Sequence, residues 1–287
     1  MKGGFPVTKQ KRALAVQDIS CVGKCSLTVV LPILSAAGVE TGVLPTSILS
    51  THTGGFGKPN FRDLTGDISP ITAHWKSFGL TFDALYTGYL GSAEQVELML
   101  QLFSDFGEGA LKLVDPVMAD HGKLYSGFSA DFPAEMAKLC EKADLIVPNF
   151  TEAALLLGEP YVESPYTKDY AEGLLLRLAD RFPGSIVLTG VQFDDQNLGA
   201  ATYDRADGTI SFAFAPRVPG HFHGTGDIFA ASLLSALLAK KPLAEAAQIA
   251  ADFTSRSIAL SDHTRESKYG VRFEAALPSL MGDLSLL

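Results

Sequence analysis

His223-Gly224-Thr225-Gly226-Asp227 stands directly before the apolar run Ile228-Phe229-Ala230-Ala231. Two glycines around a threonine let the backbone turn tightly and aim several N–H groups at one point. A helix that begins there adds the positive end of its dipole. Such a turn stabilises an anion, and Asp227 is placed both to cap the helix and to reach the anion's edge. Taken alone, these residues also fit an ordinary glycine-rich loop with an aspartate cap, so the neighbouring motifs decide. Asp115-Pro116-Val117-Met118 closes one apolar run, with Asp120 shortly after. Pro148-Asn149-x-x-Glu152 closes the next and opens a helical pattern. Hard cations such as Mg²⁺ take a few carboxylates together with waters and substrate phosphates, and Asp115, Asp120 and Glu152 offer the carboxylates. Asn149 and Thr151 are also good N-cap residues, so Asn149 serves the cap, the metal, or both.

Three other patterns carry less. Gly57-Lys58 runs into Pro59 with no glycine five residues before it, so there is no P-loop. Gly55-x-Gly57 lacks the third glycine and the position of a dinucleotide fingerprint. His221-x-His223 has no acidic or thiol partner at ligand spacing and reads as loop histidines beside the anion site.

These residues need a scaffold that brings strand ends together. Short apolar runs at 13–17, 42–49, 84–87, 111–114, 145–147 and 186–188 read as strands. Helical spacing covers 26–37, with Pro32 expected to kink it, then 71–78, 93–106, 133–140, 151–157, 170–181, 227–240 and 243–260. Residues 200–203 and 209–214 flank Asp207-Gly208 and read as a hairpin. Strands alternating with long helices imply an α/β fold with a mostly parallel sheet, and the hairpin adds an antiparallel edge. With no repeat, low-complexity tract or linker, residues 1–287 read as one domain, with 1–12 expected to be a disordered N-terminal segment. Ligands of such sheets bind outside the carboxyl ends of the strands. That singles out Asp18, 51–57, 88–91, 115–120, 149–152, Thr189 and 224–227.

Composition narrows the function classes. Hydrophobic residues make up 47% and charged residues 19%, which excludes a disordered chain. Lys and Arg number 23 against 32 Asp and Glu, a net charge of −9 that disfavours nucleic-acid binding. The most apolar stretch, 228–239, is too short to span a bilayer. Three cysteines, Cys21, Cys25 and Cys140, read as reduced thiols of a cytoplasmic protein.

Gly224-Thr225-Gly226-Asp227 ahead of a helix resembles the anion-hole signature of the ribokinase-like superfamily. Gly88-Tyr89-Leu90-Gly91-Ser92-Ala93-Glu94-Gln95, Asp115-Pro116-Val117-Met118, Pro148-Asn149-x-x-Glu152 and Thr51-His52-Thr53 resemble its pyridoxal kinase branch. The motifs run in that branch's order from residue 16 to about residue 259. Related hydroxymethylpyrimidine kinases usually carry a cysteine where Asp227 stands. The resemblance implies a three-layer α/β/α fold and transfer of the ATP γ-phosphoryl group to the hydroxymethyl of pyridoxal, pyridoxamine or pyridoxine. Asp227 would be the base, with Gly224, Thr225 and Gly226 holding the travelling phosphoryl. Asp115, Asn149 and Glu152 would organise Mg²⁺ and its waters. Asp115, Asp120, Tyr125, Asn149, Thr189 and Thr225 would lie beside ATP, near a flexible loop around 121–128. Asp18, Ser47, Thr53 and Tyr89 would face the vitamin's ring. A monovalent cation such as K⁺ and a homodimer belong to the same expectation, with neither nucleic acid nor membrane as a partner.

The chain departs from that pattern in places. Asp18 replaces the usual serine after Gln17, Thr51 replaces an asparagine, and an aromatic expected near Leu49 is missing. A carboxylate at Asp18 can accept from a protonated ring nitrogen or amine and would bias the site toward a cationic substrate such as pyridoxamine. Two other readings compete. One is a hydroxymethylpyrimidine or other small-alcohol kinase on the same scaffold. The other is a binding protein that sequesters pyridoxal phosphate or ATP, against which an intact Asp227 argues.

Overall fold

The computed structural model describes residues 9–220, 222–261 and 267–287. Of the segment 1–12 expected to be disordered, residues 1–8 lie outside the described residues, as does His221, and Arg12 is already in the first strand. Residues 9–11 run as coil into the first strand.

A nine-stranded sheet carries the molecule, in the order β11-β10-β9-β8-β5-β4-β1-β2-β3. Its parallel centre is β2 (Glu40–Leu49), β1 (Arg12–Ser20), β4 (Ala84–Thr87), β5 (Leu111–Val114), β8 (Leu145–Ile146) and β9 (Ser185–Val191). The expected hairpin, β10 (Asn197–Tyr203) and β11 (Ile210–Pro216), adds antiparallel to β9. A three-residue strand, β3 (Phe61–Asp63), closes the opposite edge antiparallel to β2. Alternation along the strands feeds two cores. Ala13 and Ala15 of β1 share one core with α1 (Leu27–Ala36), α7 (Thr225–Leu238), α8 (Leu243–Ala259) and α9 (Leu277–Asp283). Leu14 and Val16 share the other with α2 (Thr65–Ser77), α3 (Ala93–Phe106), α4 (Phe132–Cys140), α5 (Phe150–Leu157) and α6 (Lys168–Arg181). Period-two alternation in a strand covered on both faces is what makes three layers out of one apolar run.

Most expected elements form within a few residues of their predicted bounds, and the differences have local causes. Helix α2 starts at Thr65 rather than 71, because Gly66 and Pro70 interrupt the pattern near its N-terminus, where the early N–H groups need no helical partner. Pro32 sits inside α1 without ending it. The stretch 119–124 holds a small hairpin, β6 (Ala119–Asp120) with β7 (Lys123–Leu124). Beyond 260 the chain continues through short 3₁₀ turns at Ser267–Tyr269 and Phe273–Ala276 into α9, which the sequence reading did not anticipate. Three free cysteines are present, and among the described residues no helix is long and apolar enough to cross a membrane.

The parallel strands deliver their C-terminal ends to one edge of the sheet. There the register between β1 and β2 shifts after Gln17: Thr46 and Ser47 of β2 stand opposite the single residue Asp18, which is 5% exposed.

Candidate active site

Helix α7 begins where the glycine-rich turn predicts. Gly224 is its N-cap at φ 78°, a backbone conformation that glycine adopts without strain. A Cβ at Gly224 would collide with the Lys24 carbonyl oxygen, so the turn also packs directly on the loop that follows β1. The first intrahelical bond runs from Ile228 N–H to the Gly224 carbonyl at 3.0 Å. Thr225, Gly226 and Asp227 therefore occupy the first turn, where backbone N–H groups have no helical acceptor and are available to an anion. The Thr225 hydroxyl reaches back to the Phe222 carbonyl at 3.4 Å.

Asp227 faces this loop. Its Oδ2 accepts the Ser26 backbone N–H at 2.8 Å, and among the described residues Oδ1 has no hydrogen-bond partner. Burial pushes its pKa up to about 7; the Ser26 N–H works against the rise and the Asp18 charge adds to it. Asp18 is itself pushed up by burial, opposed by the Ser26 and Ser20 side chains, and its Oδ2 accepts the Ser20 hydroxyl at 3.1 Å.

A second acidic group lies at the ends of β5 and β8. Asp115 is 8% exposed, and its pKa is driven well upward by burial and by the charges of Glu152 and Asp227. Asn149 and Glu152 form a complete capping box on α5: Asn149 Oδ1 accepts the Glu152 N–H, and Glu152 Oε2 accepts the Asn149 N–H, each at 2.9 Å. Glu152 Oε1 accepts the Met118 N–H at 3.1 Å, and Asn149 Nδ2 donates to the Ala119 carbonyl at 2.8 Å. These two side chains thus pin the 115–119 segment to α5. Burial still lifts Glu152 to about 8 despite its N–H donors.

The remaining predicted residues are distributed around these carboxylates. Asp120 is exposed on β6, and Tyr125 follows the small hairpin with its N–H on the Met118 carbonyl. The Tyr125 phenol, on a residue 42% exposed, is pushed up by burial and by the charges of Glu152, Asp120, Asp115 and Asp227. Thr189 bridges Asn149 across β8 and β9. Tyr89 feels the Asp18 charge, and its ring lies 5.7 Å from that of Phe128. Ser47 is buried with no hydrogen-bond partner for Oγ among the described residues, whereas Thr53 is exposed on the 51–57 loop.

Several residues of the site escaped the sequence reading. Both amide atoms of Gln17, the Tyr86 hydroxyl and the Thr87 hydroxyl are buried at the ends of β1 and β4 with no hydrogen-bond partner among the described residues. Burial raises Tyr86 far above the ordinary phenol value, helped by Asp115 and Asp227 and opposed by the neighbouring Gln17 side chain, which lies too far or too bent for a full hydrogen bond. His52 is held in one tautomer, with Nδ1 accepting the Gly54 N–H at 3.0 Å and Nε2 on the Lys268 carbonyl at 2.6 Å. Its ring lies 4.8 Å from that of His223. An open surface cavity of about 420 Å³ lined by Asp144, Gly184 and Arg205 sits by the start of β9 and contains none of these groups.

A family model described as phosphomethylpyrimidine kinase matches residues 71–272. Among solved structures, pyridoxal kinase from Lactobacillus plantarum superposes with a TM-score of 0.86 at 35% identity, covering 96% of this chain and 98% of that one. A Bacteroides thetaiotaomicron protein crystallised with pyridoxal superposes with a TM-score of 0.89 at 36% identity, covering 95% and 96%. The pyridoxine/pyridoxal/pyridoxamine kinase of Bordetella avium is 27% identical over 272 residues, 86% of this chain and 84% of that protein.

Proposed function

The chain belongs to the phosphomethylpyrimidine kinase family and is a small-molecule kinase of the pyridoxal kinase type, and we propose that it transfers the ATP γ-phosphoryl group to the hydroxymethyl of B6 vitamers. The observation that carries the proposal is Asp227 in the first turn of α7, with one carboxylate oxygen held by Ser26 and the other free of hydrogen bonds among the described residues. A base raised to about 7 is matched to taking a proton from an alcohol near neutral pH. The free first-turn N–H groups of Thr225 and Gly226 are positioned to stabilise charge on the transferring group, and positioning with charge stabilisation is most of what phosphoryl transfer asks of a protein.

Mg²⁺ fits the donors present. Asp115 and Glu152 are buried carboxylates that make no ion pair among the described residues, and burial drives both pKa values upward. Among the described residues no group of three or more ligating side chains could hold a metal by itself. Asp115 would be the nearer donor; Glu152, with each oxygen already accepting an N–H, would act on bound water. When bound, Mg²⁺ supplies charge neutralisation at the phosphates. Asp120, Tyr125, Asn149, Thr189 and Thr225 form our proposed nucleotide side, and Asp18, Ser47, Thr53 and Tyr89 the vitamer side. We read the enzyme as a cytoplasmic homodimer, for which the exposed apolar side chains Val22, Leu31, Ile48 and Phe61 provide surface to cover.

The second reading, a hydroxymethylpyrimidine kinase, draws on the family match itself. Asp227 in place of the usual cysteine favours the vitamers. A competition assay with equal pyridoxal and hydroxymethylpyrimidine separates the two: the proposal expects mainly pyridoxal 5′-phosphate, and a predominance of the pyrimidine phosphate would replace it.

A further inference from the structure

His52 is 5% exposed and stands where three other segments meet its own loop. The first is the loop after β1. A Cβ at Gly23 would collide with the His52 ring, and the His52 N–H donates to the Val22 carbonyl at 3.3 Å. The second is the approach to the anion turn. The His223 ring lies 4.8 Å from that of His52 and fills the place where a Cβ at Gly54 would go, so the 51–57 loop packs its backbone on the residue before Gly224. The third is the 3₁₀ turn Ser267–Tyr269, whose Lys268 carbonyl meets His52 Nε2 at 2.6 Å, while Nδ1 accepts the Gly54 N–H at 3.0 Å. A carbonyl only accepts, so Nε2 carries the ring proton and Nδ1 has none. Phe56 stands edge-on to His52 at 5.1 Å and to Tyr269 at 5.2 Å, and the Lys268 ammonium lies over both Phe56 and Tyr269. The Tyr269 carbonyl accepts the Lys24 N–H at 3.0 Å, and the Lys24 carbonyl is the group that Gly224 packs on. The C-terminal turn is thus fastened both to the loop that carries Thr53 and to the loop that backs the anion turn.

We propose that His52 is a positioning residue for the hydroxymethyl substrate: by joining Gly54 of its own loop to the Lys268 carbonyl, it makes the Ser267–Tyr269 turn a support of the site and fixes Thr53 relative to the Gly224–Asp227 turn. This rests on the vitamer-side placement proposed for Thr53. His52 acts through the loop and exchanges no proton with the substrate. Burial keeps its ring neutral by lowering its pKa, against the opposite effect of the Lys268 carbonyl.

The two ring nitrogens can be replaced one at a time. His52→Asn puts an amide oxygen near the place of Nδ1, where it accepts the Gly54 N–H two residues on, but it does not reach Lys268. His52→Gln puts an amide N–H near the place of Nε2 and keeps the tie to the Lys268 carbonyl. The asparagine variant should raise KM for the hydroxymethyl substrate about three- to tenfold, the equivalent of one net hydrogen bond. Its kcat and its KM for ATP should stay within about twofold of wild type, and so should all three constants of the glutamine variant. Wild-type KM in the asparagine variant, or a rise in the glutamine variant as large as in the asparagine one, would overturn the proposal. So would a change in all three constants that follows melting temperature, which is what a merely structural histidine predicts. A second measurement needs only the wild-type protein. Hydrogen exchange over residues 267–270 should slow when the hydroxymethyl substrate is added without ATP, because a ligand that steadies the loop steadies the turn tied to it; exchange there that ignores the substrate would also overturn the proposal. The substrate is whichever hydroxymethyl compound the wild-type protein phosphorylates. Turnover of none would overturn the transfer reading and this inference with it, whereas turnover without these responses would overturn the role of His52 alone.

Discussion

Asp227→Asn separates the chemistry of the site from its stability. The amide keeps an oxygen to accept the Ser26 N–H now held at 2.8 Å, so the loop and helix α7 lose no structural bond. It cannot accept a proton at neutral pH. A general base is worth on the order of 10²–10⁴ in rate, or about 3–5 kcal/mol of barrier. Turnover should fall by at least about two decades, with KM for ATP little changed. Stability should move the other way. The Asp227 pKa is raised from 3.8 to about 7, so the folded state binds this proton more tightly than the unfolded chain does. A group raised in this way stabilises fully at pH below its unfolded value, and that contribution is lost as pH climbs through its folded value. Each pH unit between the two values represents about 1.4 kcal/mol. Asparagine never ionises, so the variant gains little near pH 4 and progressively more up to pH 7. Above that the gain levels off, at an upper bound on the order of 4 kcal/mol before solvent screening of this half-buried group. Steady-state kinetics alongside thermal melts at pH 4.5, 6 and 8 give both numbers. Near-normal turnover would remove Asp227 from the base role. Lost turnover with a matching loss of stability at pH 8 would show that the carboxylate holds the fold instead.

Three further outcomes follow from the same geometry. Gly224→Ala places a methyl group on the Lys24 carbonyl in a left-handed backbone, a conformation that alone costs about 1–2 kcal/mol; melting temperature and kcat should both fall, and an unchanged kcat would mean that the turn does not shape the anion site. Ionised Asp115 and Glu152 lose their repulsion when a cation binds, so the thermal shift produced by Mg²⁺ with ATP should be larger at pH 9 than at pH 6, since Glu152 titrates near 8; a shift independent of pH would exclude these two carboxylates from cation binding. Asp18→Ser should erase a preference for pyridoxamine over pyridoxine in kcat/KM, and identical ratios in wild type and variant would leave Asp18 without a role in choosing the vitamer.

The parts of the fold that the sequence shows are those where one local signal suffices. Helix α3 runs 93–106 as its spacing indicates, because Ser92 accepts the Gln95 N–H as a true cap and Val96, Met99, Leu102 and Phe103 line one face. The strands 84–87 and 111–114 appear at their predicted bounds because their apolar runs end in Gly88 and Asp115, where the backbone leaves the sheet. Elements of two or three residues, such as β3 and the β6–β7 hairpin, carry no periodicity to read and exist only because a longer neighbour pairs with them. The strand-end rule anticipated the carboxylates for the same reason that it applies to any parallel sheet. Gln17, Tyr86 and Ser26 were not legible. The first two look like ordinary strand residues until strand alternation turns Gln17, Tyr86 and Asp115 toward the α7 layer. Ser26 looks like a cap until its φ is known.

If Asp227 activates a vitamer hydroxymethyl for attack on the γ-phosphorus of ATP, the transferred group can be followed by incubating the wild-type protein with pyridoxal, Mg²⁺ and ATP labelled at the γ-phosphate. The label should appear on the 5′-oxygen of pyridoxal in wild type and be nearly absent with Asp227→Asn. Label released only as inorganic phosphate, or found on no vitamer while hydroxymethylpyrimidine is phosphorylated, would contradict the claim.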